Sequence, residues 1–403
     1  MTDPSSSPTA HARMGDRSLF PDLEPFAYLN HAAISPPSLA VRDAVHAILD
    51  DYLRRGVSAL PTWLAQRERL RDKLASLIGG AASDVAFVPN TTRGVTDVAL
   101  CLPWEPGDRI LLLEGEFPAN VSPWQRAAER FGLEIAWLPV AAFEESHEAG
   151  VAALCDALDR GVRLVAVSAV QFQTGLRMPV AELARACHER GAELFVDAIQ
   201  GCGVVPLDVV ADGIDYLSCG GHKWLMGPEG TGFLYVEAER AAALRPLVAG
   251  WLSHEDGLRF LFEGAGHLRY DRPVKRSAAM VEGGAYNGLG LAGLEASVDL
   301  ILALGVHAIH QHVQAYLDPL EAGLRSRGFA SARAARPEAR SGILSVRPPE
   351  GLTVQALQGA LSARGVAVTI PDGWLRFAPH WPNAPGEVPR VLAALDEVLG
   401  ELS

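Results

Sequence analysis

Cysteine is scarce in this chain, as is positive charge, and no long uninterrupted hydrophobic run occurs. The five cysteines (Cys101, Cys155, Cys187, Cys202 and Cys219) are odd in number and widely spaced, and no Cys-x-x-Cys pair occurs. That spacing predicts reduced core thiols, not a disulfide framework or a thiolate metal site. Lys and Arg total 35 against 48 Asp and Glu, a formal net charge of −13. An acidic chain is a poor partner for nucleic acid or an anionic membrane, so any phosphate must be bound by a local cradle. No segment reaches the roughly 18 uncharged apolar residues of a membrane span, and the N-terminus has no apolar signal core. The expectation is a soluble, cytoplasmic protein. The twelve histidines make one notable helical grouping, His307, His310 and His312, with no carboxylate in the motif. It is read as a solvated helix face, and no metal is expected.

What the chain does have is enough apolar sequence, 49%, to bury a large core in 403 residues. The Ser- and Pro-rich stretch 1–17 is expected to be a disordered tail. Residues 18–35 form an N-terminal segment packing on the small domain, with Ser35 as a candidate cap for a helix starting near Pro36. Residues 36–287 alternate strand and helix: strands at 84–89, 109–113, 135–140, 164–170, 193–197 and 216–219, and helices at 63–78, 91–102, 123–131, 151–159 and 180–190. Continuously apolar strands between amphipathic helices predict an α/β unit, a mostly parallel sheet covered on both faces. Residues 288–403 read as a smaller α+β C-terminal domain. It begins with a long helical stretch over 289–327, broken at Gly305 and kinked at Pro319.

The stretch from Asp215 to Val236, D-Y-L-S-C-G-G-H-K-W-L-M-G-P-E-G-T-G-F-L-Y-V, organises the rest. It places Lys223 in a glycine-bracketed apolar turn between two strands. Burial disfavours an ammonium and lowers its pKa, which leaves an amine able to form an imine. Ligands of open α/β sheets bind at the carboxyl ends of the strands. Asn90-Thr91-Thr92 there opens a helix, whose free amides suit a phosphate. Phe117 follows the next strand and offers a flat face for a ring. Asp197 closes a buried strand and needs a cationic partner. A phosphate cradle, a stacking ring, a buried carboxylate and an imine-forming lysine are together what pyridoxal 5'-phosphate requires.

Asp197-Ala198-Ile199-Gln200 and Gly221-His222-Lys223-Trp224, followed by Gly227-Pro228 and Gly230-Thr231-Gly232, resemble the motifs of the class V aminotransferase family. These are fold-type I pyridoxal-phosphate enzymes that include cysteine desulfurases, isopenicillin N epimerase and kynureninase. The resemblance runs from about Tyr28 to the C-terminus. It implies Lys223 as the catalytic, imine-forming lysine, Asp197 at the ring nitrogen and Gln200 near the ring hydroxyl. It places Thr91, Thr92 and His222 at the phosphate and Phe117 at the stacking position. Arg376 would hold the substrate carboxylate, with His31 a further substrate-side candidate. It also implies a homodimer, in which the loop Glu282 to Asn287, with Tyr286 and Asn287, reaches the partner subunit's phosphate. Three positions depart from the pattern. Gly220 replaces a serine, Ala285 replaces a threonine, and Gln171 to Gly175 has no clear counterpart of the asparagine at the ring hydroxyl.

The substrate implied is a small molecule, an amino acid. Amino-group transfer is the first expectation. Epimerisation is second and would want a second base, for which His31 or His380 stands as candidate. Carbon–sulfur or carbon–carbon β-elimination is third. Persulfide-forming desulfuration is not expected, because no thiol follows Cys219. A rival reading takes Gly288 to Gly293 as a G-x-G-x-x-G dinucleotide motif of a dehydrogenase, but no strand precedes it. A non-enzymatic binding protein would have no reason to bury Asp197 and Lys223 at neighbouring strand ends.

Overall fold

The computed structural model describes residues 12–402. The main sheet is built from β2 (Val85–Phe87), β3 (Arg109–Leu113), β4 (Glu134–Leu138), β5 (Leu164–Ser168), β6 (Glu193–Asp197), β7 (Tyr216–Gly220) and β8 (Gly232–Val236), with β1 (Ala27–Tyr28) preceding it elsewhere. Its spatial order is β2-β8-β7-β6-β5-β3-β4. The β7–β6–β5–β3–β4 block is parallel, and β8 is antiparallel to both of its neighbours. Six of the seven strands therefore run the same way, and their carboxyl ends share one edge.

The strands are apolar throughout because both faces are covered. Val165, Val167, Leu194, Val196 and Leu217 enter one core; Leu164, Ala166, Phe195 and Tyr216 enter the other. The period of two divides each strand between the two layers. The covering helices are α1 (Leu39–Arg55), α2 (Leu60–Ile78), α3 (Thr91–Cys101), α4 (Ser122–Phe131), α5 (Ala141–Glu145), α6 (His147–Leu158), α7 (Val180–His188), α8 (Ala238–Ala243) and α9 (Arg259–Phe262). Helix α7 buries Val180, Leu183, Ala184 and Cys187, the stripe its spacing predicts.

Helix α10 (Gly288–Leu304) and helix α11 (Val306–Arg325) meet at Gly305, where the chain bends by 78°. Helix α11 runs through Pro319. After it come β9 (Ala330–Ser331), β10 (Leu344–Arg347), α12 (Val354–Ala363), β11 (Val366–Ala367), β12 (Leu375–Phe377) and α13 (Val388–Leu402). The strands β12-β10-β9 form an antiparallel sheet. The β1 strand pairs in parallel with β11, which joins the N-terminal segment to this smaller α+β unit. Among the described residues no single helix is long and apolar enough to cross a membrane.

Several expectations need correction. Of the tail expected at 1–17, residues 1–11 lie outside the described residues. The remainder is tied down: the Gly15 amide donates to Trp381 O at 2.7 Å, and the Arg17 guanidinium donates to Leu23 O at 2.9 Å. Helix α1 starts at Leu39 with Ser38 as its cap, not near Pro36 with Ser35, because successive prolines hold the preceding residues extended. His310 and His312 are half-buried and bond to backbone carbonyls of Val204 and Asn383, so that helix face is packed, not solvated. Gly288 to Gly293 opens α10, with no strand before it and a Gly293 Cβ position only 2.7 Å from Pro228, which removes the dinucleotide reading.

Candidate active site

A cavity of about 510 Å³ lies at the carboxyl edge of the main sheet. Lys223, Asp197, Gln200, His222, Arg376, Phe117, Thr91 and Thr92 all line it, drawn from five separate stretches of chain. Lys223 follows β7 in a turn closed by the Met226 amide donating to Lys223 O at 2.9 Å. Met226 holds φ at +53°, a left-handed conformation that costs a bulky residue energy and is kept only where surroundings impose it. The Lys223 amine lies 5.5 Å from the Phe117 ring centre. Burial pushes its pKa down to about 8, with Asp197 opposing the shift and Arg376 adding to it.

Asp197 and Glu193 are the two ends of one strand, and their surroundings differ. Glu193 is buried at the amino end against Arg163 at 2.7 Å, Arg240 at 3.0 Å and the Tyr216 hydroxyl at 2.9 Å. Asp197 is 2% exposed and accepts from the Ile199 amide at 3.0 Å, with no arginine or lysine salt bridge among the described residues. Burial, reinforced by Glu116, raises its pKa to about 7 against the lowering effect of the Ile199 amide and Lys223. The strand end is thus left open for a cation in the cavity, such as a protonated ring nitrogen.

Arg376 is the second unmatched group. It is 4% exposed, donates to Phe172 O at 2.7 Å, and leaves its Nε without a partner. Among the described residues it has no carboxylate partner, and burial lowers its pKa to about 10. A buried fork with no acid is a site for an incoming carboxylate.

At the helix end, Asn90 caps α3 by accepting from the Arg93 amide at 2.9 Å. Thr92 is exposed at the cavity mouth, and His222, its pKa lowered by burial and then by Lys223, stands opposite. The Thr91 hydroxyl accepts from the Gly220 amide at 2.9 Å, so it ties α3 to the strand that carries the lysine turn. Gln200 accepts from Trp224 Nε1 at 2.9 Å and donates to Ala32 O at 3.0 Å. Phe117 is half-exposed, with Phe172 edge-on to it at 5.2 Å. These residues fit pyridoxal 5'-phosphate: an open carboxylate, a ring-sized apolar wall, a lysine amine of lowered pKa and a helix N-terminus with the Thr92 hydroxyl exposed at the cavity mouth.

Other expected residues are not in the cavity. His31 is buried behind it, its Nδ1 on Ser35 at 2.7 Å. His380 spends Nε2 on Trp224 O at 2.8 Å and accepts the Trp381 amide at Nδ1. Tyr286 donates to Glu282, and Asn287 caps α10 by accepting from Gly290 at 2.9 Å, so neither reaches this chain's own Lys223 cavity.

Two contributors were not singled out from sequence. Phe172 supplies half of the aromatic wall, and nothing in Gln171 to Gly175 marks it. Glu116 is buried beside Phe117 and accepts from the Ser168 amide at 2.7 Å, the Ser168 hydroxyl, Gln171 at 3.0 Å and Asn120 at 3.3 Å. It pins the loops that carry both rings. Its position next to Phe117, at a strand's carboxyl end, was the available signal.

The fold and this site define a pyridoxal-phosphate-dependent enzyme of fold-type I. The family model Aminotransferase class-V matches residues 27–373, and the chain belongs to that family. It is 34% identical over 304 residues to a cysteine desulfurase of Dickeya dadantii, covering 72% of this chain and 69% of the relative. It is 30% identical over 361 residues to the isopenicillin N epimerase of Streptomyces clavuligerus, covering 87% of each. A solved structure of a C-DES mutant, with glycine covalently linked to its PLP cofactor, superposes with a TM-score of 0.85 at 25% identity, over 94% of this chain and 98% of that one. The cofactor is pyridoxal 5'-phosphate.

Proposed function

We propose that the protein acts at the α-carbon of an amino acid, and that its reaction is amino-group transfer. The observation that carries this reading is the pairing of a depressed lysine amine with a buried arginine that has no acid of its own, in one cavity. Bound pyridoxal phosphate supplies the electron sink for charge released at the α-carbon. Asp197 holds the proton on the ring nitrogen. Arg376 binds the substrate carboxylate and fixes which α-substituent faces Lys223. Lys223, with a pKa of about 8, both takes and returns a proton near neutral pH. Thr92 and His222 bind the phosphate, and Phe117 and Phe172 keep water from the ring face. No separate step needs another base.

Epimerisation is the weaker reading, because both candidate second bases, His31 and His380, have their rings turned to internal partners. Elimination without a protein-bound persulfide is the second reading, favoured by the desulfurase names among the relatives. No cysteine lines the cavity, and Cys219 is buried within β7 with its pKa raised well above normal by burial and by Cys202. The proposal includes a homodimer, in which Glu282 to Asn287 meets the partner subunit's cavity. Arg71 bonding to Glu282 at 2.7 Å and the Arg67 guanidinium 4.0 Å over Tyr286 hold that loop beside an open groove of about 720 Å³. It further includes the division at 35/36 and 287/288, a cytoplasmic location, and no nucleic-acid or membrane partner.

One assay series separates the reactions. Transfer releases a 2-oxo acid in an amount equal to enzyme until an acceptor is added. Elimination releases product catalytically without an acceptor. Epimerisation yields the other enantiomer with solvent deuterium at the α-carbon. Turnover without an acceptor refutes transfer.

A further inference from the structure

We propose that Ser35 is a positioning residue for Lys223, gripping the backbone of the lysine turn together with His31 and His380. Lys223 lies in no helix or strand, so no ladder of hydrogen bonds fixes its peptide. Three successive carbonyls are held from outside instead. His222 O accepts the Ser35 amide at 2.8 Å. Lys223 O accepts the Ser35 hydroxyl at 2.6 Å, in addition to the Met226 amide of its own turn at 2.9 Å. Trp224 O accepts His380 Nε2 at 2.8 Å.

The donor directions are forced. A carbonyl only accepts, so the Ser35 proton is spent on Lys223 O, and its oxygen must accept from His31 Nδ1 at 2.7 Å. The Trp381 amide donates to His380 Nδ1 at 2.8 Å, so the proton of that ring sits on Nε2, aimed at Trp224 O. Both rings are within 2% of full burial and stand edge-on at 5.4 Å. The segments that carry the gripping groups are tied to each other, since the His31 amide donates to Ala378 O at 3.1 Å and the Ala378 amide to Leu29 O at 2.8 Å. Gly203 closes the turn from the other side: a Cβ there would come within 2.6 Å of Trp224 O, and its φ is +100°. Misplacement of an amine by a fraction of an ångström costs rate more than it costs binding.

The inference rests on Lys223 being the acid/base of the cavity. Its test compares Ser35→Ala, which removes one donor, with Ser35→Thr, which keeps the hydroxyl. Ser35→Ala is expected to lower kcat about tenfold with KM within about twofold. It should also move the pH midpoint of the visible cofactor band by about half a unit, with the groups facing the amine (Asp197, Arg376, Cys219 and His222) unchanged. Ser35→Thr should restore both. In cofactor-free Ser35→Ala, amide exchange should quicken within residues 221–227 and nowhere else in the main sheet. Unchanged kcat, band midpoint and local exchange would overturn the assignment. So would a general loss of melting temperature with exchange raised throughout, which is what a merely structural serine produces. If wild-type protein shows no visible band with cofactor, the reading of Lys223 fails instead, and the exchange measurement still decides the clamp.

Discussion

Replacing Arg376 by methionine removes a buried cation and leaves a side chain of similar length. In the free protein this guanidinium has one acceptor, Phe172 O, and an unpartnered Nε. Burial lowers its pKa from the ordinary guanidinium range to about 10. At about 1.4 kcal/mol per unit, that is a cost of about 3 kcal/mol to the charged form. The methionine variant escapes that cost but strands Phe172 O, at roughly 1–3 kcal/mol. The two offset, so melting temperature should stay level or rise. Binding should behave otherwise. A two-point charge-assisted grip on a carboxylate contributes about 3–4 kcal/mol, so KM for the amino acid should rise roughly 100- to 1,000-fold. The assay is a pair of measurements on the same preparation: a thermal melt without substrate and a steady-state KM. A large fall in melting temperature with KM unchanged would show that Arg376 holds the fold and does not receive the substrate.

Lys223→Ala should bind the cofactor without its visible lysine band and lose turnover, with melting temperature near that of wild type; a retained band would contradict the role given to the amine. Asp197→Asn should keep the cofactor but cut α-proton exchange by orders of magnitude, and near-normal exchange would mean the ring nitrogen needs no such partner. His380, pulled down to about 4 by burial, stabilises the fold fully above its unfolded pKa of about 6.5; that contribution, about 3 kcal/mol, is lost as pH falls from 6.5 toward 4. Asp197 in the cofactor-free protein has the opposite slope, because its folded pKa is raised. The His380 share is therefore read as the difference between wild type and His380→Gln in chemical denaturation across pH 4–7, and parallel curves would refute it. Light scattering should report a dimer, and full activity as a monomer would remove the partner loop from the site.

Strands such as β3 and β6, and helix α12, can be read from the sequence end to end. Continuous apolar runs and a simple helical stripe each admit one packing. The two-residue strand β9 and the short helices α8 and α9 carry no such pattern, since they exist through neighbours brought in by the rest of the fold. Lys223 and Asp197 are legible because each is a charge in an apolar setting, whereas Arg376 is placed only by the resemblance. Ser35 is not legible. A serine before two prolines reads as a helix cap, and only the fold shows that its hydroxyl faces a carbonyl 188 positions away. His31 and His380 read from the sequence only as candidate bases; that both rings are buried and spent was not legible, because a histidine's free nitrogen is decided by tertiary partners. Tyr286 and Asn287 could be placed only by resemblance, since a polar, glycine-rich loop carries no periodicity that assigns it a role.

The lysine turn is held by residues from both ends of the chain, with β1 lying along β11 and His380 reaching Trp224 across 156 positions. On a ribosome the N-terminal segment emerges first and has no strand to pair with until residues 366 and beyond have followed. The main sheet can form while synthesis continues, but the turn that carries Lys223 stays ungripped until the chain is nearly finished. Contacts this distant in sequence close late in folding as well as late in translation. Cofactor capture is then a check on completion: a chain cut short before Ala378 would fold most of its sheet, expose the apolar underside of the turn to solvent, and hold the cofactor poorly.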